Sequence, residues 1–151
     1  MPYASLRLIS LLRVGATGEA VCTVLVNDQE PQSTACPPEA AAAGAAARAA
    51  GRQLEHTVVV TMVPGGETSA PATADFGVLR AEAEVMVSIA TDGSILECRS
   101  VRNDVVGLPA GAPRPPDPCL PFAVGARPVF EPATTPGPRL LKVTNRLYTR
   151  G

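Results

Sequence analysis

The four cysteines are the residues of this chain best placed to do chemistry, and they fall into two similarly framed pairs. Cys22 follows the apolar run Ile9 to Val14 and the turn-forming Gly15-Ala16-Thr17-Gly18. Cys98 follows Val85 to Ile89 and Thr91-Asp92-Gly93. After each comes a second cysteine, Cys36 or Cys119, then a small-residue stretch and a β-branched run, Thr57 to Val63 or Leu140 to Tyr148. Recurrence of one frame is the mark of a duplicated unit. Spacing alone leaves the pairing of four cysteines open, and the repeat selects Cys22–Cys36 and Cys98–Cys119, one bridge within each unit. Zinc is a rival reading, although structural zinc favours short Cys-x-x-Cys knuckles that this sequence lacks, and four buried free thiols are another. Disulfides imply an oxidising compartment, the periplasm or the cell exterior.

The remaining candidates have plainer explanations. His56, the single histidine, could act as a general base, but no nucleophile or carboxylate joins it in a recognisable motif. Beside a β-branched run it reads as a solvated edge residue. Asp92 is accounted for by a turn and Asp117 by a cap. Asp28, Glu30 and Glu39 lack the alternating ligand spacing and central glycine of a calcium loop. Gly65-Gly66 is too short, and wrongly placed, for a phosphate loop. Arg139, Lys142, Arg146 and Arg150 form a basic stripe, with Lys142, Thr144, Arg146 and Tyr148 sharing the polar face of one strand. That face is either a charged edge that discourages aggregation or an anion-biased edge for a partner peptide or peptidoglycan. An enzyme such as a small hydrolase would need a nucleophile and base that meet only in space. The expectation is therefore a protein without catalysis, metal or cofactor.

The elements that must position these residues form two units joined by a linker. The first runs from about Ala4 to Val63, with strands over Ser5 to Val14 and Ala20 to Val26 and a turn at Gly15 to Gly18. A polar loop from Asn27 to Pro38 carries Cys36, and the Ala-rich Glu39 to Ala50 reads as a helix, opened by Pro37-Pro38 and closed by Gly51. Thr57 to Val63 is the clearest strand. Pro64 to Asp75 has linker composition. The second unit, Phe76 to Gly151, opens with Glu84 to Ala90, whose Val85, Val87 and Ile89 fall on one face. Asp92-Gly93 marks a hairpin turn, Ser94 to Arg102 the return strand, and Asn103 to Pro118 an irregular Gly/Pro-rich loop. Asp117-Pro118 could start one helical turn that Pro121 keeps short, and Leu140 to Tyr148 is the closing strand. Each unit thus reads as a β-hairpin, a helix and a closing strand, an α+β fold with an antiparallel sheet.

Composition narrows the partners. The chain has 151 residues, a net charge of −1, no Trp, three Phe and two Tyr. Two half-size cores built from small side chains need staples, and disulfides provide them. Scattered basic residues without interleaved aromatics argue against nucleic acid. No apolar run reaches the roughly 20 residues that span a bilayer. Met1 to Val14 superficially suggests a signal peptide, but Arg7 and Arg13 interrupt it and it reads as the first strand. If the protein is exported, a leader lies upstream or has been removed.

The second unit resembles the C-terminal domain of TonB-family proteins. The likeness rests on the strand Glu84 to Ala90, Asp92-Gly93 with Ile95 after it, Cys98, Val101 and Cys119. It continues in Ala126-Arg127-Pro128-Val129-Phe130-Glu131-Pro132-Ala133, similar to the family's basic-x-x-Phe-x-Pro-Ala segment. The cysteine pair found in many periplasmic members supports the same pairing. The first unit matches as a degenerate copy, with Thr17-Gly18 in place of Asp-Gly. The resemblance implies two tandem TonB-C-like units forming a soluble periplasmic or secreted binding module. Such a module takes up an extended segment of an outer-membrane receptor by strand addition. The expected edge is the face of Lys142, Thr144, Arg146 and Tyr148. The alternative is a structural scaffold whose two units pair edge to edge and leave no free edge.

Overall fold

Runs rich in Val, Ile, Leu and Thr become long antiparallel strands, because branched side chains pack well on a pleated surface. The computed structural model describes residues 3–14, 20–27, 29–36, 38–51, 53–65, 76–105, 117–125 and 128–150. Within these lie β1 (Leu6–Val14), β2 (Ala20–Val26), β3 (Gln32–Thr34), α1 (Pro38–Ala49), β4 (Leu54–Pro64), β5 (Val78–Ile89), β6 (Ile95–Val105) and β7 (Arg139–Arg150). All seven strands join one sheet in the order β3-β2-β1-β4-β7-β5-β6. The expected turn at Gly15 to Gly18, most of the linker, and most of the loop before Asp117 fall outside the described residues.

The expectation of two tandem α+β units, each with its own helix, is corrected on two counts. First, β4 and β7 pair antiparallel along most of their lengths, from Glu55 opposite Arg150 to Pro64 opposite Leu141. The two halves are therefore one continuous sheet. Met62 of β4 is buried in the same core cluster as Val85, Val87, Ile89, Leu141 and Val143, with Tyr3, Leu6 and Val60 packed against it. The Tyr3 hydroxyl also donates to the Leu140 carbonyl at 2.5 Å.

Second, α1 is the one helix among the described residues, and the second half covers its core differently. Pro118 to Pro121 is a turn rather than a helix. Prolines at both ends leave no room for a second turn of i to i−4 hydrogen bonds. Phe122 and Phe130 do the covering instead, both 3% exposed and stacked with ring centroids 5.9 Å apart. In the first half α1 covers a smaller cluster of Leu12, Val14, Cys22 and Ala47. Its boundaries follow from Pro38 in the first turn and Gly51 beyond the last, where φ is +63° and the Gly51 N–H bonds the Arg48 carbonyl.

A similar arrangement of strands recurs in both halves. The first hairpin strand sits between its mate and the closing strand, giving β2-β1-β4 and β6-β5-β7. Both disulfides are present, Cys22–Cys36 and Cys98–Cys119, each tying the outer hairpin strand to the segment that follows it. No helix among the described residues is long and apolar enough to cross a membrane.

Candidate functional site

Strand pairing decides which backbone groups are open to a partner. β7, the strand of Lys142, Thr144, Arg146 and Tyr148, lies between β4 and β5 and is paired on both sides. It is an interior strand, so the edge expected there is closed. Its charged side chains are engaged as well. Lys142 Nζ lies 2.8 Å from Glu84 of β5. Arg146 Nε donates to Glu82 at 2.6 Å, and Arg102 Nη1 of β6 donates to the other carboxylate oxygen of Glu82 at 2.7 Å. The two guanidiniums, Arg146 foremost, hold the Glu82 carboxyl below its usual range despite an opposing push from burial. Thr144 is buried, and the Tyr148 ring packs against Phe76 with centroids 5.6 Å apart. Elsewhere along the basic stripe, Arg139 donates to the Glu131 carbonyl and lies over the Tyr3 ring. The stripe is a set of intramolecular rungs rather than one open patch.

Comparison with family models, curated proteins and solved structures finds no match to this chain.

Two edges remain, at β3 and β6. β3 has three residues, too few for a stable ladder with a partner. β6 has eleven, nearly all exposed beyond Ile95. Among the described residues no backbone group bonds to the outer side of Glu97 to Val105. Its beginning is already occupied by a segment of the same chain: Ser94 bridges Pro128, and the Gly93 carbonyl accepts from both Val129 N and Phe130 N. The hairpin leading there is organised by Asp92, whose Oδ1 accepts from the Ser94 hydroxyl at 2.7 Å and the Ser94 amide at 2.9 Å. Those bonds, the hydroxyl's first, lower the Asp92 pKa.

Exposed apolar side chains are spaced along the same strand. Leu96, Val101 and Val105 of β6 are each about half exposed, and Leu120, next to the Cys119 that bridges to Cys98, is more so. The ladder between β5 and β6 shifts register beside Leu96 and Val101, leaving these two as extra residues without a partner on β5. Sequence reasoning passed over this edge because Glu97 to Val105 lacks apolar periodicity. The useful signal was that charged and exposed apolar residues are mixed along a strand already bridged at Cys98.

Two further places lie away from that edge. A cleft of about 920 Å³ lies between α1 and the β2–β3 edge, walled by Cys22, Cys36, Ser33, Thr34, Gly44 and Arg48. It is lined mostly by small side chains and contains no cluster of reactive groups. His56, expected at a solvated edge, is 8% exposed in β4, between Leu12 of β1 and Thr149 of β7. Burial lowers its pKa from 6.5. The unfolded chain therefore takes up a proton on this ring at a higher pH than the fold does. Stability is full above about pH 6.5 and falls as pH drops from there through the lowered folded value. Denaturant midpoints measured from pH 7 to pH 5 should decline for the wild type. In His56→Gln, that decline should flatten.

Proposed function

We propose that this protein is an exported, non-enzymatic binding module that takes up an extended segment of a partner protein by strand addition on the outer side of β6. The observation that carries the proposal is that edge: an eleven-residue strand at the end of the sheet, nearly all exposed beyond Ile95, with Leu96, Val101 and Val105 spaced along it. Strand addition suits such an edge because main-chain groups supply affinity and alternate side chains supply selectivity. Two disulfides support an oxidising compartment. The TonB-like residues of the second half, from Asp92-Gly93 to Phe130, support an outer-membrane receptor segment as the partner. Backbone amide shifts on titration with periplasmic receptor segments test the proposal. Glu97 to Val105 should respond and Lys142 to Tyr148 should not. A titration that moves neither strand removes this partner class.

A second reading is favoured by the pairing of β4 with β7, which closes one edge of each half. On that reading the chain is a structural scaffold. It gains ground if no extended peptide perturbs β6.

A further inference from the structure

We infer that the same edge also receives a second copy of this chain, so that β6 strands from two molecules pair antiparallel about a two-fold axis with Arg99 of each opposite Asp104 of the other. The inference rests on the outer side of β6 being unpaired among the described residues, as the proposed function does, and adds what occupies the edge when no peptide does.

The register shifts fix which side chains share a face. Glu97, Arg99, Arg102 and Asp104 pair with Ser88, Met86, Glu84 and Glu82 of β5 and lie on one face. Cys98, Ser100, Asn103 and Val105 pair with Val87, Val85, Ala83 and Ala81 and lie on the other. Val101 is the extra residue between these two runs. In a two-fold antiparallel pair, facing residues must lie on the same face of the joined sheet. Few registers satisfy that condition along β6. One sets Glu97 opposite Asp104 and Arg99 opposite Arg102, like charge against like at four places, which is unfavourable. Another stacks Arg99 on itself. A third, centred on Cys98, opposes Glu97 to Arg99 but brings both Cys98–Cys119 bridges to the axis and extends toward the end already held by Pro128.

A fourth, centred on Asn103, opposes Arg102 to Asp104 but joins only Val101 to Val105 and competes with Glu82 for Arg102. The last register has no such conflict. It opposes Arg99 to Asp104 twice, Ser100 to Asn103 twice and Cys98 to Val105 twice, and it uses the half of β6 away from Pro128. The shift at Val101 makes the faces agree; without it, Arg99 and Asp104 would fall on opposite faces. Arg99 makes no ion pair among the described residues, and Asp104 makes a long one with Arg102 at 3.7 Å, both side chains more than half exposed. The nearby acids Glu82 and Glu84 are held by Arg146, Arg102 and Lys142. Self-pairing covers a long exposed edge that would otherwise invite indiscriminate strand addition. A peptide then competes with the second copy, and its apparent affinity falls as protein concentration rises.

Sedimentation equilibrium of the full, oxidised chain over a wide concentration range tests the inference. The wild type should show a reversible monomer–dimer equilibrium. Arg99→Asp and Asp104→Arg should each raise the dissociation constant by about tenfold or more, since two symmetric pairs turn from attractive to repulsive. An equimolar mixture of the two variants should recover the dimer, because every facing pair is again of opposite sign. Both positions are exposed, and circular dichroism checks that each variant folds. A wild type that stays monomeric, or a dimer that ignores both substitutions, overturns the inference. If the monomer still shows β6 amide shifts with peptide, the binding edge stands while the second copy is lost. If the charge-swapped mixture dimerises but peptide never perturbs β6, the self-pairing stands and the proposed function is lost.

Discussion

Replacing Cys98 and Cys119 together by serine should lower the unfolding free energy by about 3 kcal/mol and the melting temperature by about 10 °C. The bridge spans 21 residues of sequence, and closing a loop of that size removes entropy worth this much from the unfolded chain. A packing contribution acts in the same direction. Cys119 holds the 117–125 segment against β6, and that segment delivers Phe122 to the main core cluster. The Cys22–Cys36 bridge spans 14 residues, so its loss costs a similar amount through loop closure. Its structural consequence differs: β3 and the start of α1 lose their tie to β2, while the core under Phe122 stays in place. Denaturant unfolding of the two double variants, with each remaining bridge intact, measures both. A loss below about 1 kcal/mol for Cys98/Cys119 would show that β6 and the 117–125 segment stay together without the bridge.

Much of this arrangement was legible one element at a time. The recurring frame around the cysteines selected the pairing that the structure contains. Alternation in Val85, Val87 and Ile89 identified the buried face of β5, and Pro38 with Gly51 bounded α1 to within a residue or two. What alternation does not encode is the identity of a strand's neighbours. β4 and β7 are both strong strands, yet nothing local in either says that they pair with each other rather than with solvent or a peptide. The interior position of β7 shows only in the fold, where Thr144 is buried although Lys142 on the same face is exposed. Lys142 and Arg146 looked like edge residues because their partners, Glu84 and Glu82, lie some sixty residues earlier in the chain. β3 carries no strand signature at all; Gln32 to Thr34 pairs because Cys36 is bonded to Cys22 beside it. The missing second helix has a similar cause. Its role of covering the sheet passed to two phenylalanines held by prolines and a disulfide, a solution with no periodicity to detect.

Gly93→Ala should destabilise the protein by about 4 kcal/mol, far more than a glycine substitution in a turn ordinarily costs. Gly93 has φ of +93°, a conformation that a side chain adopts only under strain. An added Cβ would also run into the carbonyl oxygen of Phe130. That close approach allows the Gly93 carbonyl to accept hydrogen bonds from Val129 N at 2.9 Å and Phe130 N at 3.0 Å. Pushing the 128–130 segment away breaks both bonds and withdraws the buried Phe130 ring from its stack on Phe122. The expected loss therefore combines backbone strain of about 1–3 kcal/mol with part of the cost of emptying a phenylalanine site. Gly51→Ala is the matched control. Its φ is also positive, at +63°, but open space surrounds it, so it should cost about 1 kcal/mol. Equal losses for the two variants in oxidised protein would mean that the turn alone, and not the seating of Phe130, depends on the glycine. A loss several times larger at Gly93 would show the hairpin and the aromatic cover folding as one unit. It would also place the start of the β6 edge under the control of a single close backbone contact.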